Sequence, residues 1–116
     1  MKKNKFLFTG FLVIVLATIL SGCSASAITN VDKNTVNIQG SQFSPVEITI
    51  KQGESVTWVN KDSVGHTIVG ITFQSDLLGT GQSFKQIFNV AGTFEYHCSV
   101  HPSMIGKVIV VSNGGY

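Results

Sequence analysis

The chain has 116 residues, which is the length of a single domain. Its eight lysines and six acidic residues give a formal net charge of +2, but three of the lysines lie within the first five residues. The chain after residue 22 keeps five lysines and all six acidic residues, a net charge of −1, so no basic patch remains that would favour a nucleic-acid partner.

The N-terminal segment has the features of a secretory signal. Lys2, Lys3 and Lys5 precede an apolar run over residues 6–20, and small residues follow that run. The apolar run is shorter than the roughly 20 residues that a membrane-spanning helix needs. We therefore predict that this segment directs export.

The end of the segment, Leu20-Ser21-Gly22-Cys23, resembles the lipoprotein box of exported bacterial proteins. That resemblance implies a signal peptide over residues 1–22, a lipid on Cys23, and a mature chain anchored to a membrane and facing outside the cytoplasm. An ordinary secretory signal with an incidental Cys and an uncleaved membrane anchor are the alternatives. Residues 23–34 are small and polar, which predicts a flexible tether.

The segment from residue 35 to residue 112 consists of short runs in which apolar and polar residues alternate, separated by turn residues. A period of two punctuated by Gly and Asp predicts antiparallel strands, and about seven of them predict an all-β domain, a small β-sandwich. Residues 71–82 have no clear period and are predicted to form a loop, and residues 113–116 a C-terminal tail. The predicted strands are 36–38, 46–51, 55–60, 66–69, 83–88, 92–98 and 106–111.

The alternation also assigns side chains of the strand at 92–98 to its two faces. Phe94, Tyr96 and Cys98 share one face, because side chains two residues apart point the same way. The two aromatic residues predict that this face meets the core, so that Cys98 lies at the edge of the core. His97 then points away from it and is predicted to be a surface residue.

Three metal donors lie close together at the end of this strand. Cys98, His101 and Met104 offer a thiolate, an imidazole and a thioether, and soft sulfur ligands favour copper over zinc. His66 is the candidate for a second imidazole, because the remaining histidine, His97, faces away. Two His, one Cys and a weak axial Met form the blue-copper electron-transfer pattern. Taken singly, Cys98 is equally explained as a buried thiol and Met104 as a core residue.

At these residues the chain resembles the cupredoxins, most closely the plastocyanin and amicyanin group. Three stretches resemble strands of that family, namely residues 43–48, 53–62 and 92–98. The spacing of the donors after the last strand is similar to the short amicyanin loop. The resemblance implies a Greek-key β-sandwich over residues 35–112 that holds one type 1 copper ion. The ligands that it implies are His66, Cys98, His101 and Met104.

Two positions near the donors depart from the family pattern. The family often has Asn after the first ligand His, where this chain has Thr67, so a tie between the ligand loops must use a hydroxyl or be absent. Amicyanin-like loops often have Pro before the second His. Val100 stands there and keeps a backbone N–H, which could donate to the sulfur of Cys98.

Together these features predict a membrane-anchored blue-copper protein that carries single electrons between redox protein partners. We expect a monomer and no enzymatic activity, because four protein ligands leave no position plainly open for a substrate. The alternative is a lipid-anchored copper-binding module for copper delivery or storage. With only Met1 and Met104, the chain has no methionine-rich site of the kind such modules use. A metal-free structural sandwich is a third interpretation.

Overall fold

The structure is a computed structural model that describes residues 33–114. The predicted signal peptide, Cys23, nearly all of the predicted tether and the last two residues lie outside this range. Residues 33–114 contain no helix, and therefore none that could cross a membrane. They form eight strands: β1 (Thr35–Ile38), β2 (Phe43–Ser44), β3 (Glu47–Lys51), β4 (Ser55–Asn60), β5 (Val69–Gly70), β6 (Ser83–Ile87), β7 (Gly92–His97) and β8 (Ile105–Val111).

The strands form two four-stranded sheets, with the orders β2-β1-β4-β6 and β3-β8-β7-β5. β1 pairs with β4 and β3 pairs with β8 in parallel, whereas the other pairs are antiparallel. Consecutive strands repeatedly change sheets, which is the connectivity of a Greek-key sandwich. The predicted fold class is confirmed, with one strand more than predicted.

Trp58 lies at the centre of the core between the two sheets, and its side chain is fully buried. Its ring centroid lies 5.2 Å from that of Tyr96 on the opposite sheet, in an edge-to-face arrangement. The rings of Phe84 and Phe73 lie 5.8 Å and 5.9 Å away. Such contacts add to the stabilisation that burial alone provides. The contact with Tyr96 packs the two sheets against each other.

Two elements differ from the sequence prediction. β2 has only two residues, which is too short to show an alternation. Residues 66–69 were predicted to form a strand, but only Val69 lies in one. The segment instead meets the 71–82 loop, where His66 forms an isolated bridge with Leu78 through hydrogen bonds of 3.1 Å and 2.8 Å. An irregular loop therefore holds the first predicted ligand in place.

Candidate metal centre

The predicted ligands come from two segments that the sandwich brings together. His66 follows β4, whereas Cys98 directly follows β7 and Met104 directly precedes β8. The donor atoms of His66, Cys98 and His101 all lie within 4.8 Å of one another. The fold thus gathers the two imidazoles and the thiol that the sequence analysis selected.

The loop that carries three of the ligands is closed by its own backbone. The Cys98 N–H donates to the carbonyl of Met104 at 3.1 Å, and the Met104 N–H donates to the carbonyl of His101 at 2.8 Å. These bonds hold the two ends of the loop side by side, and the Met104 side chain is buried. Met104 therefore lies at the same end of the sheet as Cys98, where its thioether would be available to a bound metal.

The donor cluster is buried and leaves one polar atom without a hydrogen-bond partner. The side chains of His66 and Cys98 are fully buried, and Cys98 is a free thiol. The Nδ1 atom of His101 is buried without a hydrogen-bond partner, which is costly unless something binds it. The Nδ1 atom of His66 lies 3.8 Å from the Cys98 sulfur. The residues therefore fit a copper ion with two nitrogen ligands and a thiolate.

The environment of Cys98 favours the thiolate, the form that binds metals. Burial raises the pKa of the Cys98 thiol, but the N–H of Thr67, the ring of His66 and the N–H of His101 together lower this pKa to about 6. The Thr67 N–H donates to the sulfur at 3.4 Å, and the Thr67 hydroxyl lies 3.8 Å from it. A thiolate is thus available at neutral pH.

The two departures from the family pattern have different outcomes. The Thr67 hydroxyl accepts the Ser99 N–H at 2.8 Å and lies 2.8 Å from the Ser99 hydroxyl, so the tie between the ligand segments is present and uses a hydroxyl. The loop N–H that lowers the pKa of Cys98 belongs to His101 rather than to Val100. No hydrogen bond joins the Val100 N–H to the sulfur in the described part of the chain.

Asp62 was not among the predicted site residues, but it contacts the centre directly. Its Oδ2 atom lies 2.9 Å from the Nε2 atom of His66. The Ser41 N–H holds the pKa of Asp62 below its usual range. Burial raises this pKa, whereas the Gly40 N–H and His66 lower it further. The spacing of four residues between a carboxylate and a histidine was the only sequence signal. His97 is exposed, as predicted.

Several known proteins are similar to this chain in sequence. A protein-family model described as a cupredoxin-like domain matches residues 11–110. Amicyanin from Paracoccus versutus is 37% identical over 93 residues, which are 74% of this chain and 70% of that protein. A chloroplastic plastocyanin from Tetradesmus obliquus is 35% identical over 83 residues, which are 59% of this chain and 57% of that protein.

One of the similar solved structures contains copper. The reduced Cu(I) form of an amicyanin variant superimposes with a TM-score of 0.64 at 31% identity, over 66% of this chain and 80% of that chain. Its copper is the metal that the donor set of this chain fits. Because the family match spans most of the sequence, the protein belongs to the cupredoxin-like family and, within it, to the plastocyanin and amicyanin group.

Proposed function

We propose that the protein is a blue-copper electron carrier. The observation that carries this proposal is the cluster of one thiol and two imidazoles whose donor atoms lie within 4.8 Å of one another, with Met104 on the same loop. Copper, when bound there, supplies one-electron chemistry by alternating between Cu(I) and Cu(II). The residues around it determine how readily that exchange occurs.

Hydrogen bonds within the chain hold the donors in a fixed arrangement. His66 is held by Asp62, and Cys98 receives the Thr67 N–H. The hydroxyl of Thr67 in turn joins the two ligand segments through Ser99. A site that does not rearrange between oxidation states exchanges an electron with little energetic cost. With four protein donors, no ligand position remains for a substrate, which supports a carrier rather than an enzyme.

His101 is the ligand through which we propose that electrons enter or leave. His101 is half-buried, whereas His66 and Cys98 are fully buried. Exposed apolar side chains at Val64 and Val100 accompany it on the two ligand segments. With Gly65 and Pro102 they form the apolar patch on which a redox partner protein would dock.

The rival function, copper delivery or storage, has less support from the centre. A protein that hands over its metal needs donors that a receiving protein can reach. Here the thiol of Cys98 and the ring of His66 are fully buried, and Met104 is 4% exposed. Only His101 is accessible, which suits the passage of an electron better than the passage of an ion.

We also propose that the protein works outside the cytoplasm, anchored by a lipid on Cys23. The support is the basic, apolar and small-residue pattern of residues 1–22 that ends in this cysteine. Replacing Cys23 with Ala should abolish incorporation of a radiolabelled fatty acid by growing cells. Equal labelling of the wild type and the variant would contradict the lipid anchor.

The visible and electron spin resonance spectra of the copper-loaded protein test the carrier function. The oxidised protein should be intensely blue because of charge transfer from the Cys98 sulfur to copper. Cys98→Ser should lose this band, whereas His97→Ala, which removes the exposed neighbouring imidazole, should keep it. A wild-type protein without the band, or a Cys98→Ser variant with it, would rule out the proposed site.

A further inference from the structure

The carboxylate of Asp62 binds three groups at once, one of which is the ring of a copper ligand. Its Oδ2 atom lies 2.9 Å from the Nε2 atom of the fully buried His66. Oδ1 accepts the Gly40 N–H at 2.7 Å, and Oδ2 also accepts the Ser41 N–H at 2.9 Å. Only 14% of the Asp62 side chain is exposed. The carboxylate is therefore largely enclosed between a turn and the metal centre.

The turn that holds the carboxylate has a backbone conformation that suits anion binding. Gly40 and Ser41 have φ angles of 63° and 53°, a left-handed conformation that a non-glycine residue such as Ser rarely adopts. Successive N–H groups in such turns point the same way and form a concave anion site. Here the site is filled by a carboxylate of the same chain.

The backbone of Asp62 is fixed as firmly as its side chain. Its N–H donates to the side-chain oxygen of the fully buried Asn60 at 2.9 Å, and its carbonyl accepts the Thr80 hydroxyl at 2.7 Å. The Asn60 amide also donates to the carbonyl of Leu78 at 2.8 Å, next to the bridge that holds His66. The carboxylate is thus held in place by hydrogen bonds to both its side chain and its backbone.

We propose that Asp62 is a positioning residue that fixes the tautomer of His66 and lowers the reduction potential of the centre. A carboxylate accepts the proton on Nε2, which leaves the lone pair of Nδ1 free on the side of the Cys98 sulfur, 3.8 Å away. Its negative charge also favours Cu(II) over Cu(I), because Cu(II) carries the greater positive charge. This inference rests on the proposed copper site.

Substitutions at Asp62 and at one control position test the effect on the potential. Asp62→Asn keeps the shape but removes the charge, and Asp62→Ala removes the hydrogen bond as well. Asp76→Asn is the matched control, because Asp76 is an exposed carboxylate that makes no hydrogen bond to the donor cluster within residues 33–114. Voltammetry on the purified, copper-loaded full chain should show a higher potential for both Asp62 variants than for the wild type and the control.

A second measurement needs no copper. In the copper-free Cys98→Ser chain, where no thiolate can accept a hydrogen bond from Nδ1, nitrogen NMR should show the Nε2-protonated tautomer of His66, and a mixture of tautomers when Asp62→Ala is added. If Asp62→Ala does not fold, Asp62→Asn provides the comparison, with a weakened preference expected.

The two measurements separate this inference from the proposed function. A wild-type chain that forms no blue centre refutes the electron carrier, while the tautomer of His66 still tests the role of Asp62. The inference is overturned if Asp62→Asn changes the potential no more than Asp76→Asn does. An unchanged tautomer in the Asp62 variants overturns it equally.

Discussion

Thr67 joins the two ligand-bearing segments through both its backbone and its side chain. Its N–H donates to the Cys98 sulfur, and its hydroxyl accepts the Ser99 N–H and lies 2.8 Å from the Ser99 hydroxyl. The same hydroxyl lies 3.8 Å from the sulfur. Because hydrogen bonds withdraw electron density from a metal-bound thiolate, Thr67 favours the reduced copper.

Replacing Thr67 with Val keeps the shape and the backbone N–H but removes the hydroxyl. We expect the reduction potential to fall, because the sulfur loses a donor. We also expect the free energy of unfolding to fall by about 1 kcal/mol, the usual net value of a hydrogen bond. Voltammetry and urea unfolding provide the two measurements.

Thr67→Ser is the control for this prediction, since it restores the hydroxyl without the methyl group. Its potential should lie closer to that of the wild type than to that of Thr67→Val. Equal potentials for the Val and Ser variants would show that the hydroxyl does not act on the sulfur.

At the residue scale, the donor cluster could be predicted, and Thr67 was singled out as the candidate tie between the ligand segments, but the role of Asp62 was missed. Cys98, His101 and Met104 are close in sequence, and soft donors in such a group indicate copper. The contact of Asp62 with His66 depends on how the turn at Gly40 folds back onto the loop, and the spacing of four residues was the only local signal of it.

At the scale of elements, the strands on either side of β7 each place a glycine opposite Tyr96. Tyr96 pairs across the sheet with Gly70 on β5 and with Gly106 on β8. A Cβ atom on Gly106 would overlap the ring and hydroxyl of Tyr96, and one on Gly70 would overlap the ring of Phe73. Glycine inside a strand often marks such a close approach.

Gly106→Ala should therefore destabilise the fold, because the added methyl group would overlap the buried Tyr96 ring. Overpacking of this kind costs about 1–3 kcal/mol. Gly79→Ala is the control, since a Cβ atom there would meet only the Gln82 side chain, at 3.4 Å. Thermal unfolding should show a lower midpoint for Gly106→Ala than for Gly79→Ala, and similar midpoints would contradict the packing argument.

The turn between β3 and β4 is held by Glu54. Its carboxylate accepts the Lys51 N–H at 2.8 Å, and this bond holds the pKa of Glu54 below its usual value of 4.5. Burial raises this pKa, and the hydrogen bond from Asn34 lowers it further. A carboxylate with a lowered pKa stabilises the folded state above its unfolded pKa. That stabilisation is lost as the pH falls through the lower pKa of the folded state.

Glu54→Gln should remove this pH-dependent contribution while keeping an oxygen that can accept the Lys51 N–H. The copper-free wild type should be more stable than Glu54→Gln at neutral pH, and the difference should shrink as the pH falls below 4.5. Glu95→Gln, at an exposed position on β7, is the control. Urea unfolding midpoints at several pH values measure the effect, and a constant difference between wild type and Glu54→Gln would refute it.

The strands themselves could be predicted well where the alternation runs for four or more residues, as in β4 and β8. The prediction for residues 66–69 was wrong because their β-branched side chains favour a strand, whereas tertiary contacts with Leu78 decide the structure. Phe73 and Leu78 are buried although the loop around them has no period. Side chains that fill gaps between sheets in this way carry no periodic signal.

At the scale of the whole molecule, the centre joins residues that are distant in sequence. Cys98, His101 and Met104 lie within one loop, but His66 belongs to the segment between β4 and β5. Folding is needed to bring His66 to the loop. Copper therefore binds the folded chain more tightly than the unfolded chain, and by linkage it stabilises the fold.

Removing copper should lower the unfolding temperature. A ligand at 100 times its dissociation constant adds about 2.7 kcal/mol, which corresponds to roughly 10–20 °C for a domain of this size. The observed shift should be smaller than full linkage predicts, because the unfolded chain keeps three donors in one short loop and still binds some copper. His66→Ala leaves these three donors intact, so copper should shift its unfolding temperature far less than that of the wild type. An equal shift in both proteins, measured by calorimetry with and without a chelator, would show that copper does not bind between the two segments.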